Sequence, residues 1–243
     1  GGKAAYYGPK YPQCWPIRRY LDWLQDELGR RGVTDIRLGC APRPEDLTAE
    51  GFQAVIACTG SRESRPPIHG ADAQGVWTNE DIYRGTVTSG ERVVNVGGGA
   101  VSTETAMYLA SLGKQVTVLT RQEILMKSQF FAHGPHMSYD LVAEDRGYGR
   151  DAPCWTRYQN IQPVYHAHGL EIAPDHVTYE KDGQAFTVEA DTVLVSGGYA
   201  GCMDSALKYA GCVSEFYLAG DVRFDCSNLM QGNRSAYGRA IML

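Results

Sequence analysis

Three consecutive glycines, Gly97-Gly98-Gly99, give the clearest chemical signal in this sequence of 243 residues. They open the pattern Gly97-x-Gly99-x-x-Ser102, which is the dinucleotide-binding fingerprint with a serine in place of its third glycine. In that fingerprint the first glycine makes a tight turn, and the second lets a pyrophosphate approach the backbone. The free N–H groups of the helix that follows point at the phosphates. We therefore predict that a nucleotide diphosphate is held by Gly97, Gly98, Gly99, Ala100 and Val101.

The segments on either side of the glycines predict a βαβ unit. Residues 92–96 are typical of a strand, residues 100–112 of a helix that stops at Gly113, and residues 115–119 of a second strand. This context favours a nucleotide-binding turn over the alternative, a glycine turn with a purely structural role. Ser102 is small enough to replace the third glycine, whose role is helix–strand packing.

The residues that follow the second strand distinguish between the two nicotinamide nucleotides. An acidic side chain at this place binds the ribose hydroxyls of NAD, whereas a nearby arginine accommodates the 2′-phosphate of NADP. This sequence has Thr120 and Arg121, with no carboxylate before Glu123. The pattern favours NADP, with Thr120 and Arg121 facing the adenosine ribose. The alternative is NAD, with Arg121 as a solvated loop charge.

The rest of the chain predicts an α/β fold with a Rossmann-like parallel sheet. Continuous apolar runs are typical of strands covered on both faces, and they occur at 53–58, 191–196 and 216–219. Helical spacing of apolar residues predicts a helix over 16–28, and a short strand is expected over 33–38. The pair Asp182-Gly183 predicts a hairpin between two short strands. Residues 127–164 have no clear period.

Composition and charge exclude several kinds of partner. The sequence is 43% hydrophobic and 21% charged, as in globular proteins, and its net charge is −5. A nucleic acid or an anionic membrane surface is therefore not expected as a partner. No apolar run reaches the ~20 residues of a membrane helix, and no signal peptide is visible. We expect a cytoplasmic protein.

Cysteine and histidine spacing argues against redox dithiols and metal sites. None of the seven cysteines forms a Cys-x-x-Cys pair, so neither a thioredoxin-type dithiol nor a zinc ribbon is expected. The pairs His133/His136 and His166/His168 lack cysteine or carboxylate partners at ligand spacing, and no metal site is expected. No Gly-x-Ser-x-Gly elbow supports a nucleophilic serine.

Four segments in a fixed order form a more specific pattern. They are Gly1-Gly2 with the following helix, residues 55–61 continuing to the stretch PPIHGAD at 66–72, residues 94–106 around the glycines, and residues 217–221. Together they resemble the C-terminal half of the 2,4-dienoyl-CoA reductase and NADH:flavin oxidoreductase family. In that family an old yellow enzyme-like flavin barrel is followed by a two-dinucleotide-binding module like that of glutathione reductase.

The resemblance implies cofactor contacts beyond the glycine turn. It places Glu104 near the nicotinamide. It also assigns Thr59, Gly60, Gly220 and Asp221 to the FAD site, with Gly197 as a further cofactor-binding residue. The FAD domain's own glycine fingerprint would lie before Gly1, so tight FAD binding by this chain alone is not expected. The flavin barrel would lie further upstream, with its FMN and iron–sulfur cluster.

The resemblance further implies a domain layout and an activity. Residues 83–188 are expected to form the NAD(P)H-binding domain, and residues 1–82 with 189–243 an incomplete FAD domain that lacks its first βαβ. The chain is then an N-terminally truncated part of an enzyme, inactive alone. The complete enzyme would pass hydride from NAD(P)H to FAD and on to a barrel-bound flavin that reduces an enoyl-type substrate. The alternative is a non-catalytic ADP-binding or assembly module of an amine dehydrogenase-like flavoprotein.

Overall fold

The computed structural model describes residues 2–7, 15–33, 35–126, 158–223 and 229–243. The chain divides into two compact units. The larger unit comprises residues 1–31 and 65–198, and the smaller unit residues 32–64 and 199–243. The predicted domain boundaries at 83 and 188 stay a prediction.

The larger unit contains a parallel sheet that positions the glycine turn. Its strands, in spatial order β3-β10-β4-β5-β6, are β3 (Val76–Thr78), β10 (Thr192–Val195), β4 (Arg92–Val96), β5 (Gln115–Leu119) and β6 (Ile161–Val164). All neighbouring pairs run parallel. Helix α5 (Ala100–Ser111) connects β4 to β5, so the βαβ unit and the α/β fold predicted from the sequence are confirmed.

Apolar side chains of the central strands alternate between two cores. Val93 and Leu194 pack with helix α5 residues such as Met107 on one face of the sheet. Val94 and Val193 pack on the other face against Val177 and its neighbours. This two-sided burial explains why the strands appear in the sequence as continuous apolar runs.

A three-stranded antiparallel sheet covers the second face. It consists of β7 (His168–Ile172), β8 (His176–Lys181) and β9 (Gln184–Glu189), in the order β7-β8-β9. Asp182 and Gly183 join β8 to β9 with φ of +53° and +74°, as a type I′ turn requires. The predicted hairpin is confirmed.

Within the described residues of the larger unit, the helices besides α5 are α1 (Gly2–Tyr7), α2 (Trp15–Arg30) and α4 (Asn79–Arg84). Helix α2 extends a residue earlier and two residues later than predicted.

A capping box fixes the start of α4, because Thr78 Oγ1 accepts from the Asp81 N–H and Asp81 Oδ2 accepts from the Thr78 N–H. At the carboxyl end of α5, the Asn160 side-chain amide donates to the carbonyls of Ala110 and Lys114 at 2.9 and 2.7 Å.

The smaller unit is built on two short strand pairs. β1 (Ala54–Ala57) and β12 (Glu215–Leu218) are parallel, whereas β2 (Ser61–Glu63) and β11 (Tyr199–Gly201) are antiparallel. Its helices are α3 (Pro44–Ala49), α6 (Met203–Leu207), α7 (Leu229–Ala240) and a 3₁₀ turn at Gly220–Val222. Ala57, Ala206 and Val222 form its small core.

The strand predicted over 33–38 is wrong for the residues described there, 33 and 35–38, which have no strand structure. Val33, Ile36 and Leu38 are 44%, 52% and 88% exposed. A strand needs a neighbour to pair its backbone groups, and no strand among the described residues pairs with this segment. The apolar pattern alone was therefore not enough to predict a strand. The pair His133/His136, at which no metal site is expected, lies outside the described residues.

Among the described residues, no helix combines the length and the apolar character needed to cross a membrane.

Candidate nucleotide-binding site

The glycine turn between β4 and α5 is closely packed at its first two residues and open at its third. Gly97 has φ of +136°, and a Cβ atom there would lie 3.0 Å from the Ser196 carbonyl oxygen. A Cβ atom at Gly98 would overlap the Thr120 side chain. At Gly99 a Cβ atom would meet nothing within 4 Å. The turn therefore leaves space for a ligand at Gly99, where the fingerprint brings the pyrophosphate closest.

Neighbouring strands hold the turn in place. The Gly97 N–H donates to the Leu119 carbonyl at 2.9 Å, and the Met126 N–H donates to the Gly98 carbonyl at 2.7 Å. The Ser196 N–H donates to the Val96 carbonyl at 2.9 Å. Because three strands meet here at their carboxyl ends, the turn lies where open parallel sheets bind ligands.

Helix α5 starts at this turn without a side-chain cap. Gly99 is its N-cap residue, with φ of −76° and ψ of 178°. No acidic residue occupies the first turn. The N–H groups of Ala100, Val101 and Ser102 have no intrahelical acceptor, because the first helical N–H groups never do. This end of the helix attracts anions, as the prediction for the diphosphate requires.

The residues predicted to face the ribose differ in exposure. Thr120 is only 4% exposed, and its hydroxyl accepts from the Gln122 N–H at 3.2 Å. Arg121, the next residue, is exposed and makes no hydrogen bond or ion pair with the described residues. Of the two, Arg121 is thus the side chain free to reach a phosphate, and Thr120 shapes the turn.

Glu104 lies one turn into α5 and is largely buried. Burial raises the pKa of its carboxyl group from 4.5 to about 7. No described residue donates a hydrogen bond to it or pairs with it. A carboxyl group in this state can be either a proton donor or an acceptor near neutral pH.

Replacing Glu104 by glutamine is expected to make the protein more stable than the wild type as the pH rises. The raised pKa means that the folded state keeps a proton that the unfolded chain loses between about pH 4.5 and 7, so wild-type stability falls across this window. A glutamine side chain does not ionise and carries no such penalty. Urea unfolding should show the two proteins level near pH 4.5 and the variant ahead by roughly 2 kcal/mol at pH 8. Parallel stability curves would contradict the assignment, and Glu91→Gln, an exposed carboxylate of the same unit, is the charge control.

The residues assigned to FAD by resemblance lie mostly in the smaller unit. β1 and β12 are parallel neighbours, so the segments that follow them, Thr59-Gly60 and Gly220-Asp221, start from the same edge. Ser61 Oγ donates to Asp221 Oδ2 at 3.2 Å, which joins the two segments. Gly60 and Gly220 have φ of +75° and +73°, with open space where a Cβ would be. Gly197, in the larger unit, follows β10 and is exposed.

Sequence reasoning missed two residues that shape the turn. Ser196 lies against Gly97, and Met126 binds the Gly98 carbonyl with φ of +58°. The position of Ser196 at the carboxyl end of a buried strand was a usable signal, whereas Met126 carried none. Among the described residues, no three His, Cys, Asp or Glu side chains group as metal ligands.

The chain matches a known protein family and is similar to several proteins of known activity. Residues 33–213 match the family described as pyridine nucleotide-disulphide oxidoreductase. Over 213 residues the chain is 28% identical to a cinnamate reductase of Clostridium sporogenes, and the match covers 87% of this chain and 28% of that protein. Over 107 residues it is 38% identical to an NADH oxidase of Thermoanaerobacter brockii, covering 42% of this chain and 16% of the relative.

A solved structure of 2-naphthoyl-CoA reductase in complex with 2-naphthoyl-CoA has the same fold. It covers 100% of this chain with a TM-score of 0.80 and 23% identity, and the chain covers 34% of that structure. The chain thus spans about a third or less of the length of these similar proteins.

Proposed function

Because the chain belongs to the pyridine nucleotide-disulphide oxidoreductase family, we propose that its larger unit binds a nicotinamide nucleotide within a flavin-dependent oxidoreductase. The observation that carries the proposal is the glycine turn, closed by packing at Gly97 and Gly98 and open at Gly99. The uncapped end of α5 beside it supplies N–H donors without an acidic side chain in the first turn. The residues present therefore fit a diphosphate.

Each residue near the turn has a separate role in this proposal. The N–H groups of Ala100 and Val101 bind the pyrophosphate at Gly99, and Arg121 pairs with a 2′-phosphate. Glu104 lies beside the nicotinamide ring, where its carboxyl group accepts or donates a hydrogen bond according to pH. The bound nucleotide supplies a hydride to FAD, and the protein contributes position and electrostatics.

The smaller unit fits part of an FAD site. Thr59, Gly60, Gly220 and Asp221 offer backbone and side-chain groups at one edge of the β1–β12 pair, and the two glycines leave space for close approach. Gly197 is proposed as a further cofactor contact. We infer that the remaining flavin chemistry, with FMN, an iron–sulfur cluster and reduction of an enoyl-type substrate, belongs to a flavin barrel in the same longer protein. Residues 83–188 would be its NAD(P)H-binding domain, working in the cytoplasm.

Ligand-dependent melting tests the proposal directly. Because a ligand that binds only the folded state raises the melting temperature, millimolar NADPH or NADH should stabilise the purified chain. ADP is the informative comparison. An assembly module that holds only the ADP portion would bind ADP as tightly as the full nucleotide, whereas a hydride-transfer site should gain affinity from the nicotinamide. No shift with any of the three ligands would overturn the proposal.

Replacing Arg121 by alanine is expected to reverse the cofactor preference. A charge-assisted hydrogen bond to the 2′-phosphate contributes about 1.5–3 kcal/mol, so NADPH affinity should fall roughly tenfold to a hundredfold while NADH affinity changes little. Isothermal titration calorimetry with both nucleotides measures this. Arg92→Ala is the matched control, since it removes a half-exposed arginine from the opposite end of β4. Equal losses for both nucleotides, or none, would show that Arg121 is a solvated loop charge.

A further inference from the structure

A buried asparagine lies beneath the glycine turn, and the resemblance gives it no role. Asn95 is a polar residue in the otherwise apolar buried part of β4, and its side chain is 0% exposed. Its Nδ2 donates to Asn79 Oδ1 at 2.7 Å and to the Ser102 carbonyl at 3.2 Å. Asn79 and Ser102 are also 0% exposed. We call this arrangement of Asn79, Asn95 and Ser102 the amide bridge.

The amide bridge spans the glycine turn. Asn95 precedes Gly97 by two residues, and Ser102 belongs to the first turn of α5. A hydrogen bond from Asn95 to the Ser102 carbonyl therefore links the chain entering the turn to the chain leaving it. The Ser102 side chain adds a second contact, because its Oγ lies 3.1 Å from the position of a Cβ on Gly97.

Asn79, the remaining member of the amide bridge, connects it to a separate helix. Asn79 is the first residue of α4, and the capping box of Thr78 and Asp81 fixes the start of that helix. The Asn95 amide thus donates hydrogen bonds to residues of both α4 and α5. The N–H groups of Ala100 and Val101, in the same first turn as Ser102, point toward the amino end of α5, as in any helix.

A contribution to the stability of the fold does not by itself explain why the amide bridge is present. Asn95 Oδ1 and Ser102 Oγ are buried and have no hydrogen-bond partner among the described residues. A buried polar network with unpaired members is less favourable than an apolar core of the same shape. Sequences break such rules mainly at functional sites. Valine, which occupies the neighbouring positions 93, 94 and 96 of β4, would avoid the unpaired carbonyl oxygen.

We propose that Asn95 is a positioning residue that holds the first turn of α5 in the orientation needed to bind a diphosphate. This inference rests on the proposed nucleotide site. Asn95 itself touches no ligand in this assignment; it acts through the Ser102 carbonyl and through Asn79. The consequence is that affinity for diphosphates and stability of the fold respond differently when the bridge is removed.

The test compares Asn95→Val with a matched variant at the other end of the same helix. Asn160→Ala also removes an asparagine amide that donates two hydrogen bonds to α5 and the residues just after it, but at the carboxyl end. Calorimetric titration with ADP and with adenosine, together with urea unfolding, should be done on both variants of the full chain. Asn95→Val is expected to weaken ADP binding about tenfold, the scale of one or two lost hydrogen bonds, and to leave adenosine binding unchanged. Asn160→Ala should lower stability without changing either affinity.

Several outcomes decide the matter. Equal loss of ADP and adenosine affinity in Asn95→Val, or a loss of ADP affinity in Asn160→Ala that scales with its stability, would overturn the positioning role. If Asn95→Val does not fold, Asn79→Ala removes one bond of the bridge while keeping a good helix former, and a threefold or greater loss specific to ADP is expected. A wild-type chain that binds no ADP would instead overturn the proposed function itself.

Discussion

Replacing Gly99 by aspartate is expected to abolish nucleotide binding while leaving the fold intact or slightly more stable. Gly99 is the N-cap of α5, has a negative φ, and has open space where a side chain would extend. Aspartate is a better N-cap than glycine and also favours the positive end of the helix dipole, so stability should rise by about 0.5 kcal/mol. The same carboxylate would occupy the place of the diphosphate, and like charges in contact cost several kcal/mol.

Two measurements separate these opposite effects. Urea unfolding should show stability at or above that of the wild type, and calorimetry should show NADPH, NADH and ADP affinities reduced at least about a hundredfold. Gly99→Asn is the matched control because asparagine has the same size and a similar capping ability without the charge. It should lose less affinity than aspartate. An aspartate variant that binds as well as the wild type would show that the diphosphate does not lie at Gly99.

Replacing Gly98 by alanine is expected to destabilise the larger unit by about 3 kcal/mol, the upper range for overpacking a closely packed site. The added methyl group would overlap both Oγ1 and Cβ of Thr120, whose side chain is buried. Thr120 does not move easily, because its N–H donates to the Val164 carbonyl at the end of β6 and its carbonyl oxygen accepts from the Ala167 N–H. The strain therefore cannot be relieved by a side-chain rotation alone.

A double-mutant cycle tests the contact itself. Thr120→Gly removes both overlapping atoms, so the double variant should be more stable than the sum of the single changes predicts, by about 1–2 kcal/mol. Gly99→Ser is the control on the same turn, since its side chain enters open space and should cost nothing. Additive free energies in the cycle would mean that Gly98 and Thr120 do not pack as described.

The sequence alone was enough to predict the structure wherever that structure depends only on neighbouring segments. The glycines, the strand before them and the helix after them are contiguous, and their βαβ arrangement follows from one short pattern. The resemblance, drawn from four ordered motifs, is confirmed for the pyridine nucleotide-disulphide oxidoreductase module, whose family matches residues 33–213. The oxidoreductase class follows from the same match.

Contacts between distant segments were beyond the reach of pattern reasoning. Ser196 contacts the turn because β10 inserts between β3 and β4 in the sheet, an order that periodicity does not encode. Asn95 appears in the sequence as a lone polar residue in a strand, and its partner Asn79 is sixteen positions earlier. The strand prediction for residues 33–38 failed for the converse reason. Their apolar pattern is local, whereas a strand also needs a partner.

The terminal backbone groups at the two ends of α5 differ in their hydrogen bonding. At its carboxyl end the Asn160 amide binds two carbonyls, whereas no side chain caps the end at Gly99. The N–H groups of Ala100 and Val101 have no intrahelical acceptor, so their protons should exchange with deuterated solvent faster than those near Ala110. A bound diphosphate would slow this exchange at the open end. The exchange rate of the first turn of α5 would then report whether a diphosphate is bound, with no displacement of the sheet behind it.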